Sequence, residues 1–350
     1  MRCSDLQYDI DYDLIVDSIV NSEARRVVIQ LPDGLKQYSH NIYKCIEGRL
    51  PRWVDVYIHA DPNYGACDLQ YGQLWATLKP DLIIHIGHSP YPKELAHPGL
   101  EPRGSGLKVV YVPALSRTKI SEEMISEAAR LLKQHGVKRA AITTTSQHVH
   151  MIKQVAVMLR KYGIEPVVPR GIKPYFHDAQ IIGCDYRLPY SSKAEGFLYI
   201  GGGVFHPLGL YLATLKPVVK TDPYEGKSVD LTSDGEKLYR SRLYTVMKAM
   251  DADNWGVIVG LKTGQYRPWL VERLKKQIIE AGKNYMLIAS ENLTRESLTS
   301  IDSDWYDAFI VTSCPRLPTD DYWDYHKPVL TPGEAFMALK RVLEPYRFPW

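Results

Sequence analysis

Short runs rich in Val and Ile punctuate the chain, each breaking at Gly or Pro and giving way to a stretch where apolar residues return every three to four positions. Buried strands followed by amphipathic helices produce that alternation. "RRVVIQLPDG" (25–34) predicts a strand that breaks at Pro32-Asp33-Gly34, with a helix through "LKQYSHNIYKCIEG" behind it. The same order returns in "GVKRAAITTTSQ" (136–147) before the helix "HVHMIKQVAVMLRKYG", and in "NWGVIVGLKTGQ" (254–265) before the helix "YRPWLVERLKKQIIEAG". A Gly closes both of these helices, as a C-cap does.

Each helix leads into a second strand, "VDVYIHA" (54–60), "IEPVVP" (164–169) and "NYMLIAS" (284–290). Third strands follow in "DLIIHIGHSPYP" (81–92), "GFLYIGGGVFHP" (196–207) and "DAFIVTSCPRLP" (307–318), all running into a turn that ends at proline. Fourth strands are "KVVYVPA" (108–114), "PVVKTDPY" (217–224) and "PVLTPGEA" (328–335). The pattern predicts an α/β protein of three consecutive related domains of about 110 residues. Each is a small, mostly parallel sheet flanked by helices with right-handed crossovers. The expected divisions are 1–125, 126–235 and 236–350, the second falling in the polar stretch "SVDLTSDGEK".

Composition narrows the classes of function. The 43 basic and 40 acidic residues nearly cancel to a net charge of +3, which argues against a nucleic-acid partner. The N-terminal "MRCSDLQYDIDYDLIVDSIV" alternates acids with apolar residues, unlike a signal peptide, and no apolar run has the length of a membrane span. A cytoplasmic protein is expected. In a reducing compartment its five widely spaced cysteines, Cys3, Cys45, Cys67, Cys184 and Cys314, are expected to be free of disulfides, as core residues or as ligands.

Three of the five fall where chemistry is expected. Cys67 follows the second strand of the first unit, Cys184 the second strand of the second unit, and Cys314 the third strand of the third. Ligands of open parallel sheets collect at the carboxyl ends of strands, so three sheets around a centre would bring three thiolates together. Three thiolates with an open position suit an iron–sulfur cluster, by the same logic that separates open catalytic zinc sites from closed structural ones. The alternative is that each is a small buried hydrophobe, the commoner fate of a lone cysteine. Cys45, inside a predicted amphipathic helix, and Cys3, near the terminus, are read that way. Spacing alone leaves both readings of the other three open.

The strings around these residues resemble a known family. "NYGACD" around Cys67, "IIGCD" around Cys184 and "SCPRLPTDD" around Cys314 are similar to the archaeal diphthamide biosynthesis enzymes, the 2-(3-amino-3-carboxypropyl)histidine synthases. "QLPDGL" (30–35), "HIGHS" (85–89), "GGGVFHP" (201–207), "TDPY" (221–224) and "GLKTGQ" (260–265) extend the resemblance in order over nearly the whole chain. The resemblance implies a homodimer of three-domain subunits in which Cys67, Cys184 and Cys314 each give one ligand to a central [4Fe–4S] cluster. It also implies S-adenosylmethionine as substrate, bound near the open iron. The reduced cluster would cleave it to methylthioadenosine and a 3-amino-3-carboxypropyl radical, which adds to C2 of a histidine imidazole on translation elongation factor 2. That is the first step towards diphthamide. No CxxxCxxC loop of the common radical enzymes is present, so a cluster here would hold the sulfonium differently and bring a different bond nearest the electron donor. Asp68 stands where some eukaryotic relatives have a further cysteine.

Around that centre, Gln30 and Asp33 end the first strand of unit one and Gln265 occupies the matching turn of unit three, placed to hold ribose hydroxyls or the methionyl amino group. Asp33-Gly34 also reads as a plain turn and N-cap. Arg316 is placed to pair with the methionyl carboxylate, or to form a structural ion pair. His88 with Ser89, and His206, stand at matching strand ends, either lining the site and orienting the acceptor imidazole or simply hydrogen-bonded in loops. No catalytic group beyond the cluster ligands is expected. Gly201-Gly202-Gly203 lacks the remainder of a phosphate-binding fingerprint, and Asp320 and Asp321 read as solvated turn residues. Two other functions fit the plan. Quinolinate synthase also takes one cysteine per domain onto a [4Fe–4S] cluster, used there as a Lewis acid, but its motif strings differ. A non-catalytic iron–sulfur accessory subunit is the other, and the presence of all three cysteines argues against it.

Overall fold

In the computed structural model, residues 6–69, 72–91 and 108–350 are described; Cys3 and Pro92 lie outside them. The first unit carries β1 (Tyr8–Ile10), β2 (Arg26–Gln30), β3 (Asp55–Ile58), β4 (Leu82–Ile86), β5 (Lys108–Val112) and β6 (Ala114–Ser116). The second carries β7 (Arg139–Thr144), β8 (Glu165–Val167), β9 (Gly196–Ile200), β10 (Val218–Asp222) and β11 (Lys227–Asp230). The third has β12 (Asn254–Gly260), β13 (Asn284–Ser290), β14 (Ala308–Val311) and β15 (Val329–Leu330). The sheets run β3-β2-β4-β5, β11-β10-β9-β7-β8 and β13-β12-β14-β15. In each, the second strand lies outside the first and the third lies on its other side. All pairings are parallel apart from β10 with β11 and the separate β1–β6 ribbon. Strand order therefore reverses between first and third strands in all three units, which opens a crevice at their carboxyl ends.

Burial explains why the strands read as they do. Positions along β4, β9, β10 and β14 are buried throughout, since both faces are covered, and unbroken Ile/Val/Leu runs suit that environment. The edge strands β3 and β13 are largely exposed. Helix Glu122–Gln134 starts at Ser121, whose hydroxyl accepts from the Met124 amide, and it buries Ile125, Ala128, Ala129 and Leu132. The expected divisions at residues 125 and 235 lie near the N-terminal ends of this helix and of helix Thr232–Ala249.

Several local details differ from the sequence reading. The first predicted helix is broken into Asp33–Lys36 and Ser39–Glu47, and the second opens with a 3-10 turn, Ser146–Met151, before Ile152–Lys161. Strand β11 had no apolar signal: its Lys-Ser-Val-Asp pairs antiparallel to β10 across a turn at Gly226, where φ is +67°. The expectation that no cysteine is disulfide-bonded is corrected. Cys45, half-buried on helix Ser39–Glu47, is in a disulfide, whereas Cys67, Cys184 and Cys314 are free. Half-buried on the helix, Cys45 is not the fully enclosed core residue that the helical pattern implied. No helix among the described residues is long and apolar enough to cross a membrane.

Buried polar contacts hold the units together. Lys262 Nζ meets Asp68 Oδ2 at 2.6 Å, joining the third unit to the first. The Ser146 hydroxyl and the Gln147 amide donate to the Gly87 carbonyl at 3.0 and 3.2 Å, joining the second to the first. Within the third unit, Arg242 forks onto Glu334 with both partners nearly inaccessible, tying helix Thr232–Ala249 to helix Pro332–Leu339.

Candidate iron–sulfur site

Each of the three free thiols is placed by a different local device. After β3 the chain makes a 3-10 turn, Ala66–Asp68, held by Asn63 Nδ2 donating to the Asp68 carbonyl at 3.1 Å and by the Lys262–Asp68 pair. Gly264 NH donates to the Cys67 carbonyl at 2.8 Å, and a Cβ on Gly264 would lie 2.5 Å from Cys67 Cα, so only glycine allows this approach. Behind β8 the loop returns alongside β7, with Thr144 NH donating to the Ala179 carbonyl at 2.9 Å and Ile181 NH to the Thr144 carbonyl at 2.8 Å. That stitch aims Cys184 inward, and its carbonyl accepts from the Trp350 indole at 3.1 Å. Beyond β14, Arg267 donates to the carbonyls of Thr312 and Ser313 at 2.9 and 2.7 Å, fixing the backbone just ahead of Cys314-Pro315. Proline holds the preceding residue extended and has no amide hydrogen.

The three thiols line one cavity of about 620 Å³, open to solvent on one side, within the size range of small-molecule sites. No three His, Cys, Asp or Glu side chains among the described residues close on a single point as one metal ion requires. Three thiols on the wall of one cavity suit a polynuclear centre, whose irons are each bound by a separate cysteine.

Electrostatics point the same way. Burial, reinforced by the neighbouring Cys184 and Cys314, pushes the Cys67 thiol up to about 12. Burial likewise raises Cys314 to about 11, and raises Cys184 against the opposing pull of Arg267. Three thiolates cannot persist side by side here without a cation between them, and a cationic cluster supplies one. Donors face the sulfurs: Gln265 Nε2 is 3.7 Å from Cys67 Sγ, and the Tyr91 hydroxyl is 3.4 Å from Cys184 Sγ while accepting from Arg267 Nη2 at 2.9 Å. The residues fit a cluster bound by three thiolates. Hydrogen bonds to cluster sulfurs tune the potential.

Of the residues singled out from sequence, His88, Ser89, His206, Gln265 and Arg316 line the cavity with the three cysteines. Gln30 and Asp33 do not. Gln30 is fully buried at the end of β2 beside His85, and Asp33 is half-exposed and paired with Lys36 at 2.7 Å. Arg316 contacts Asp320 at 3.0 Å on the cavity rim. Burial lowers both His88 and His206 to about 4, so each is a neutral imidazole. The sequence reading overlooked Tyr91, Lys262, Arg267 and Trp350. None of the four gave an advance signal: even Arg267, directly before the helix-starting Pro268, is a lone Arg that carries no motif.

Comparisons with known proteins agree with this geometry. The family model for diphthamide synthesis proteins matches residues 31–347. The chain is 33% identical to the 2-(3-amino-3-carboxypropyl)histidine synthase of Pyrococcus horikoshii over 97% of its own length and 93% of the relative's. It is 26% identical to the enzyme of the same name from Methanocaldococcus jannaschii, over 94% of this chain and 88% of that one. Against the crystal structure of Dph2 from Pyrococcus horikoshii with a 4Fe-4S cluster the TM-score is 0.82 at 33% identity, covering 98% of this chain and 94% of that one.

Proposed function

This chain belongs to the diphthamide synthesis protein family, and from that premise we propose that it transfers a 3-amino-3-carboxypropyl group from S-adenosylmethionine to C2 of a histidine imidazole on translation elongation factor 2. The observation that carries the reading is the convergence of Cys67, Cys184 and Cys314, from three sheets, on one cavity. These three would hold a [4Fe–4S] cluster with its fourth iron open. When bound, the cluster supplies the electron that cleaves the sulfonium, releasing methylthioadenosine and the 3-amino-3-carboxypropyl fragment. The chain's own residues set the surroundings. Gln265 and Tyr91 offer hydrogens to Cys67 and Cys184, which disperses thiolate charge. Arg267, buried and lying 4.3 Å over the Trp350 ring, keeps positive charge against the cluster wall. Arg316, on the rim, would exchange its Asp320 partner for the methionyl carboxylate.

Neutral His88 and His206, with Ser89, are among the polar residues of the wall, and Phe176, Phe205 and Ile182 are among the apolar ones that limit water around a reactive fragment. Bond choice would follow from proximity, the cavity wall and Arg316 on its rim deciding how the sulfonium is held beside a bound cluster. Residues 1–125, 126–235 and 236–350 act as three ligand-bearing domains in this reading, in a cytoplasmic homodimer. All three thiols reach the cavity, which a subunit that merely supports a partner's cluster does not need.

The test is anaerobic. The reconstituted, reduced protein is given S-adenosylmethionine with and without archaeal elongation factor 2. Methylthioadenosine and a histidine heavier by the transferred group are expected. Absence of methylthioadenosine from cluster-loaded, reduced protein would overturn the reading.

A further inference from the structure

Transfer of a carbon group to C2 of an imidazole leaves a proton to be removed. The new C–C bond replaces C2–H, the electron taken up at the sulfonium would be returned by the adduct to the oxidised cluster of the transfer reading, and the remainder is thioether, substituted imidazole and one H⁺. The cavity is open to solvent on one side only, so a group on its wall can receive that proton in place of bulk water, and nothing in the reading above supplies one.

Strands β2 and β4 pair in a register that sets Gln30 beside His85. His85 Nδ1 lies 3.3 Å from Gln30 Oε1, and His85 Nε2 lies 3.0 Å from His88 Nδ1. An amide oxygen only accepts, so His85 Nδ1 carries the hydrogen. A neutral imidazole has one such hydrogen, so His85 Nε2 accepts and His88 Nδ1 donates. His88 Nε2 is then left with a bare lone pair, has no hydrogen-bond partner among the described residues, and belongs to a side chain that lines the cavity. Both rings are held neutral by burial, His85 with added pressure from His88. The other groups facing them are few: Tyr111, its ring 5.3 Å from that of His85, is the ionisable neighbour among the described ring contacts. His206, the second cavity histidine, stacks on Tyr199 and has no side chain fixing its tautomer among the described residues.

We propose that His88 Nε2 receives the proton released from C2 of the acceptor imidazole, and that Gln30, acting through His85, is the positioning residue that keeps this nitrogen unprotonated. The inference rests on the transfer reading above. A weakly basic nitrogen suffices, because losing the C2 proton restores aromaticity to the acceptor ring.

Two measurements test it. In cluster-free protein with ¹⁵N-labelled histidine, NMR is expected to show His88 protonated at Nδ1 and bare at Nε2, and Gln30→Leu to mix the tautomers of both rings. A wild-type His88 protonated at Nε2 overturns the relay, as would a Gln30 amide turned the other way round. In turnover, His88→Gln and His88→Asn are expected to lower the ratio of modified histidine to methylthioadenosine at least about tenfold, the low end for loss of a general base being about a hundredfold. An acceptor histidine deuterated at C2 should then react more slowly in the variants than in the wild type, which a merely structural role would not produce. A ratio within twofold of wild type in both variants overturns the proposal. If wild type itself makes no methylthioadenosine, the transfer reading fails, and the NMR result still decides the relay.

Discussion

At the scale of single residues the cavity is governed by burial working against charge. The Cys67 thiol rises from 9.0 to about 12 because it is buried beside two further sulfurs. The folded, cluster-free chain therefore keeps a proton there that the unfolded chain gives up above about 9. Its stability should fall as pH rises from 9 towards 12, followed by denaturant melts at increasing pH. Bound metal reverses the preference, since it needs thiolates, and should release protons on loading. Single replacement of Cys67, Cys184 or Cys314 by Ala is expected to lose the visible absorbance of the iron–sulfur centre, while Cys45→Ser retains it. Gln265→Leu should leave the cluster in place and lower its midpoint potential, because an N–H aimed at Cys67 Sγ is removed. The Gly- or Pro-bearing loops after strands marked Cys67, Cys184 and Cys314 as candidates, but only the motif strings around them singled out the ligand reading. Arg267 and Tyr91 were not legible in the sequence, because their value comes from partners far away in the chain, the Ser313 carbonyl and Cys184 Sγ.

At the scale of elements, helices and strands are joined by buried ion pairs that local sequence does not announce. Glu334 is wholly buried at the start of helix Pro332–Leu339; burial works to raise its pKa, and the Arg242 fork overrides this and lowers it. Its stabilising contribution is full above its ordinary value of 4.5 and disappears as pH falls through the lowered folded value. Glu334→Gln leaves Arg242 buried without a counter-charge and should cost about 3–5 kcal/mol in denaturant melts. Central strands were readable because covered faces demand uniform apolar runs, and β12 and β14 show it. Strand β11 was not, since its half-buried Lys-Ser-Val-Asp has neither an apolar run nor alternation and owes its place to the backbone of β10.

At the scale of the whole molecule, the cavity exists only while the three units stay docked. Gly264 lets the third unit approach Cys67, and Gly264→Ala would place a methyl group 2.5 Å from Cys67 Cα. The expected outcome is a large loss of iron per chain with far-ultraviolet circular dichroism unchanged, because each sheet keeps its own core. Asp68→Ala strands Lys262 in a buried contact and should destabilise by about 3–5 kcal/mol. The double variant Asp68→Ala/Lys262→Met should be less harmful than the sum of its single changes.

The sequence by itself determined the three repeated α/β units, their parallel strands and the loops that carry three cysteines. These depend on local hydrophobic period and turn chemistry, which neighbouring residues specify. Tertiary structure alone decided that the three loops open into one cavity, that Gln30 stands behind His85 and His88 rather than on the cavity wall, and that Asp33 turns to Lys36. Each of these outcomes depends on distances between residues from separate strands or separate units. Such distances are set by sheet register and by the docking of whole units, and no local pattern encodes them.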